Sequence, residues 1–130
     1  MNKEDHIEYW KAEAEDSWES ALVLMNNRKY LMAAFCFHLC IEKLLKGCWV
    51  KTNTENYPPR THNLIYLHDE SKLNLPEKMQ KDFIIINTWN LEGRYPEYKE
   101  RLIKTIDKSY LDSKFETLQK IKLCLQEKLQ

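Results

Sequence analysis

Glycine is almost missing from this chain: Gly47 and Gly93 are the only two in 130 residues. A phosphate-cradling loop or a dinucleotide-binding turn needs several glycines in a fixed pattern, so both are excluded. Proline is scarce as well, with four residues, which leaves few obligatory helix breaks. No apolar run approaches the ~18 residues that would suggest a membrane span. Residues 1–15 are acidic, which fits neither a secretory signal nor a transit peptide. Net charge is zero, so the strongly basic footprint of many nucleic-acid binders is lacking. Cys36, Cys40, Cys48 and Cys124 follow no disulfide or zinc spacing. Cys36 and Cys40 lie one helical turn apart, but no second pair completes a four-ligand site. They read as core thiols of a cytoplasmic protein, with no metal or cofactor expected.

What is present favours helix. Leu, Lys and Glu are abundant, and all three are good helix formers. Ile7, Trp10, Ala14, Trp18, Ala21 and Met25 recur at three- and four-residue steps, which predicts a helix over 5–27 with an acidic outer face. Within residues 1–25, two lysines stand against seven acids, so the remainder carries the matching positive excess. A second helix is predicted over 29–52. Its run Phe35–Gly47 is the most apolar stretch of the chain, and its wide stripe suits the middle of a bundle or a dimer interface. Gly47 inside it is expected to relieve close packing, and His38 reads as a satisfied core histidine.

Tyr57-Pro58-Pro59-Arg60 predicts an extended link, with Thr61 as the N-cap of a short helix from His62 to about Glu70. A fourth helix is predicted over about 77–91, capped by Gly93. Residues 94–106 read as a loop followed by a helical turn or an extended crossing. The last helix runs from about Lys108 to Leu129 behind the N-cap Asp107. The sum is one all-α domain over residues 1–130, an up-and-down bundle of four to five helices.

Three charged clusters punctuate this pattern: Glu42-Lys43 with Lys46, Arg60-Thr61-His62, and Arg94-Tyr95 beside Lys99 and Arg101. The last two fall in loops, where a rigid scaffold commonly carries its sites. An arginine held in a Gly-Arg-Tyr-Pro turn presents a fork that suits a phosphate or a carboxylate. As a carboxylate partner, Glu42 or another helix acid would make a structural ion pair with this arginine. His62 in a helix's first turn would face the positive end of the dipole, which favours a neutral donor or base.

In order and spacing these clusters resemble the HEPN domain (higher eukaryotes and prokaryotes nucleotide-binding). Glu42-Lys43-Leu44-Leu45-Lys46 is similar to that family's second-helix signature. Thr61-His62-Asn63-Leu64 is similar to the start of its third helix, and Arg94-Tyr95-Pro96 to its Arg-Tyr-Pro turn. The resemblance spans residues 5–129. It implies an accessory-domain-like helical bundle, usually a homodimer, often paired with a nucleotidyltransferase as a toxin–antitoxin system. It also implies binding of nucleotide or RNA phosphate, with Arg94, Tyr95 and His62 lining the site. Glu42 would orient Arg94, and Lys46 and Lys99 would add positive charge. Many members cleave RNA without metal, using an arginine followed four to six residues later by a histidine. Here His6, His38, His62 and His68 all precede Arg94, so that motif is missing. An alternative is a ribonuclease toxin in which Arg94 and His62 form a composite pair. A second alternative is a non-catalytic dimerisation domain.

Overall fold

A computed structural model describes residues 1–130. It is all helical, with α1 over Lys3–Asn26, α2 over Tyr30–Thr52, α3 over Leu64–Glu70, α4 over Glu77–Asn87, α5 over Pro96–Thr105 and α6 over Lys108–Lys128. Local chemistry sets most of these boundaries. Asn2 and Asp5 form a reciprocal capping box that starts α1. Asp107 accepts from the Tyr110 amide and starts α6. The α1–α2 turn is closed by Arg28 in the left-handed region, at φ 62°.

Three long helices make the frame. The Lys3 ammonium donates to the carbonyls of Val50 and Asn53, so α1 starts where α2 ends and the two are antiparallel. Lys51 donates to the carbonyls of Lys128 and Gln130, so α2 and α6 finish at the same end. The three short helices occupy the crossover between them. α2 is the centre: it packs against α1, α3 and α6 and buries Phe37, Ile41, Leu44 and Leu45 completely or nearly so. Trp18 meets Phe37 edge-on at 5.0 Å and Phe115 at 5.7 Å, joining α1, α2 and α6. A Cβ on Gly47 would stand 3.2 Å from Leu129 Cδ1 and 3.5 Å from Trp10 Cβ, so this glycine does sit at a close approach of three helices.

Three elements depart from the sequence expectation. α3 starts at Leu64, because Asn63 rather than Thr61 caps it, accepting from the amides of Ile65 and Tyr66. α4 stops at Asn87, where the Thr88 hydroxyl donates to the Ile85 carbonyl. Gly93 is therefore not its cap but the pivot of the following turn, at φ 73°. Residues 96–105 form a full helix, because Pro96 occupies its first turn, where the missing N–H is harmless. α5 buries no residue. No helix is long and apolar enough to cross a membrane.

Candidate functional site

Glu42 lies on the buried side of α2, with only 5% of its side chain exposed. An uncompensated carboxylate there would be strongly unfavourable. Its two oxygens are both taken. Lys46, one turn along the same helix, donates to Oε2 at 3.0 Å. His62 Nδ1 lies 2.7 Å from Oε1. Lys46 in turn stands 5.5 Å from the centre of the Trp10 ring, within the range of a cation–π contact.

The second nitrogen of His62 is also engaged: Nε2 lies 2.7 Å from Glu92 Oε2. A carboxylate oxygen only accepts, so Nδ1 donates to Glu42, while the Nε2 approach to Glu92 is a charge contact when the ring is protonated. The result is a row of contacts, Lys46–Glu42–His62–Glu92, in which the imidazole bridges two carboxylates. It runs from the buried flank of α2 to an exposed loop and fastens the two irregular segments to the central helix. His62 itself sits one residue ahead of the α3 cap, not inside the first turn.

His38 backs this arrangement. Its Nε2 is 3.1 Å from the His62 carbonyl oxygen, an acceptor, so Nε2 carries the proton. Its Nδ1 is buried with no partner, so this histidine is only half satisfied. Burial lowers its pKa below the ordinary 6.5, opposed by the nearby Glu42 carboxylate and the His62 carbonyl.

Arg94 stands apart from Glu42. It is exposed and makes no ion pair. Its guanidinium lies over the Tyr98 ring at 4.4 Å from the centroid, with Arg101 on the same ring at 5.7 Å. The Tyr98 hydroxyl donates to the Thr88 carbonyl and ties α5 to the end of α4. Tyr95 is 81% exposed, and Lys99 is exposed on α5. The expected pairing of Glu42 with Arg94 is therefore corrected: Glu42 pairs with Lys46 and His62, and the residue of the second loop that reaches His62 is Glu92. Lys46 likewise does not face outward as added charge; its partner is Glu42. Lys43 donates to the Ser17 hydroxyl at 2.8 Å.

Two contributors are not legible in the sequence. Glu92 lies two residues before Arg94, on the other side of the Gly93 reversal. Asn87 Oδ1 accepts from the Leu64 amide at 2.9 Å and joins the end of α4 to the start of α3. No group of three or more His, Cys, Asp or Glu side chains is arranged to hold a metal ion. The arrangement can orient an imidazole from behind through a buried carboxylate, and the loop that carries Glu92 goes on to offer an arginine and a tyrosine to solvent.

A family model described as HEPN domain matches residues 7–127. The crystal structure of TT1696 from Thermus thermophilus is similar in fold, with a TM-score of 0.78 over 95% of this chain and 98% of that one. The identity is 18%, so this likeness speaks to fold alone. No curated protein matches the sequence.

Proposed function

The chain belongs to the HEPN domain family, and on that premise we propose that it is a cytoplasmic binding module for the phosphate groups of a nucleotide or of RNA. The observation that carries this reading is Arg94: an exposed guanidinium with no carboxylate partner, braced on the Tyr98 ring in a turn fastened to the core through His62. Tyr95, next in sequence, offers an open ring face on which a base can stack. Arg101 and Lys99 add charge along the same helix. The test is fluorescence anisotropy with a labelled single-stranded RNA and with a labelled nucleotide, over a range of salt. Binding by the wild type that Arg94→Ala weakens supports the reading; no binding to either probe removes it.

In the same reading the module works as a homodimer and beside a nucleotidyltransferase partner of toxin–antitoxin type. Exposed Val23, Ile84, Ile85, Ile103 and Leu123 are apolar side chains that such contacts would cover. Light scattering tests the homodimer. A dimer without any nucleotide or RNA affinity leaves the dimerisation alternative standing.

One observation favours a second reading, the metal-independent ribonuclease. Glu42 holds His62 through Nδ1 as a buried carboxylate holds a general-base histidine, with Arg94 as the phosphate grip. In that reading Glu92 must leave Nε2, and Nε2 must be unprotonated, before the ring can take a proton from a ribose hydroxyl.

A further inference from the structure

We propose that Glu92 is an internal occupant of an oxyanion position: a phosphate oxygen takes its place on His62 Nε2, and Arg94 moves in with it. This rests on the phosphate-binding reading above and adds how the site is held closed when empty. The His62 ring is fixed from behind by Glu42, whose other oxygen is held by Lys46, so Nε2 points to the loop side whatever stands there. Glu42 is thus a positioning residue. The group now at Nε2 is a carboxylate oxygen at 2.7 Å, and an oxygen of a phosphate, also an anion, can take the same place beside the ring.

Glu92 is lightly held. Its side chain is 58% exposed and His62 is its only ion-pair partner. Its backbone amide is anchored separately, to Asn90 Oδ1 at 3.2 Å, so the carboxylate can swing away without unravelling the turn. Gly93 follows at φ 73°, with nothing within 4 Å of where a Cβ would be, and α5 beyond it buries no residue. Arg94 is one position further, stacked on Tyr98 rather than paired. The same reversal therefore carries the anion that must leave and the cation that should arrive.

The test is titration of 5′-AMP by calorimetry at matched ionic strength into wild type, Glu92→Ala, Glu92→Ala/His62→Asn and the control Glu97→Ala. Glu97 is an exposed acid on α5 without an ion pair. Glu92→Ala should bind about two- to fivefold more tightly, the range that loss of one exposed competing ion pair corresponds to. The gain should vanish in the double variant and should not appear in Glu97→Ala. Wild-type binding with no gain in Glu92→Ala overturns the proposal and leaves the Arg94 reading intact. A gain that survives His62→Asn, or that Glu97→Ala reproduces, overturns it too, because the effect is then general charge. Absence of binding in every form removes both readings. Glu92→Gln and the His62 imidazole nitrogen shifts during titration give a second measurement; shifts that stay fixed while 5′-AMP binds also overturn it.

Discussion

His62 Nδ1 meets Glu42 Oε1 at 2.7 Å, so the acid buried in the central helix serves the histidine of the first loop and not the arginine of the second. Removing its charge leaves Lys46, 11% exposed, without its anion. Glu42→Gln should therefore lower the unfolding free energy by about 2–3 kcal/mol, less than a fully buried pair because the His62 side is partly wet. Urea unfolding measures it. A change within experimental error would mean that the row of charges does not hold the loops.

Much of the fold is legible in the sequence because α1, α2 and α6 carry apolar residues at an unbroken helical step, and Asp107 marks a start that nothing competes for. The α3 start is ambiguous there because Thr61 and Asn63 are both good caps. The Thr61 hydroxyl is used up on the Asn63 amide instead. Residues 96–105 mislead because a proline reads as a barrier, whereas Pro96 is a first-turn residue. At the site, three clusters are visible but not their pairing. Glu92, Gly93 and Arg94 reverse direction within three residues, and only the backbone shows which of the two charges reaches His62.

The Gly93 reversal can be tested directly. At φ 73° with open space around it, the obstacle to a side chain is the backbone alone. Gly93→Ala should destabilise by about 1 kcal/mol, and Gly93→Asn by less, because asparagine tolerates this region better. Thermal unfolding compares them. Equal midpoints for all three would show that the turn adopts another conformation.

His38 predicts a pH effect with a definite sign. Its pKa is lowered by burial, so the folded chain holds the ring neutral. Above the ordinary 6.5 both states are neutral and stability is unaffected. As pH falls below that value, the unfolded chain takes up a proton that the folded chain refuses. Stability should then drop, by at most about 1.4 kcal/mol per pH unit, until the lowered folded value is reached. His38→Gln keeps an N–H for the His62 carbonyl and should flatten this slope between about pH 7 and 5.5, the range around an ordinary histidine pKa. An identical slope in wild type and variant would assign the loss to other groups.

Thiol chemistry should divide along the bundle. Burial pushes Cys40 and Cys48 up to about 12, and the thiolate is the reactive form. Neither should react with a disulfide reagent at about pH 8 until the chain unfolds, whereas half-buried Cys124 on α6 should react in the native state. Mass mapping of the modified cysteines decides it. Native labelling of Cys40 would mean that the centre of the bundle opens.

Arg94 and Tyr95 should differ in how they contribute to RNA binding. An arginine that neutralises one phosphate contributes through counterion release. Arg94→Ala should weaken binding evenly across sequences and reduce the slope of log affinity against log salt by about 0.7–1. Arg94→Lys keeps the charge but loses the stack on Tyr98 and the planar fork, so it should preserve the slope while losing part of the affinity. Tyr95→Ala removes a stacking face, an effect of about 1–3 kcal/mol per base, and should leave the salt slope unchanged. Anisotropy titrations at several salt concentrations separate the two. If Tyr95→Ala changed the slope and Arg94→Ala did not, the roles assigned to this turn would be reversed. If neither changed anything while RNA still bound, the interface would lie elsewhere on the bundle.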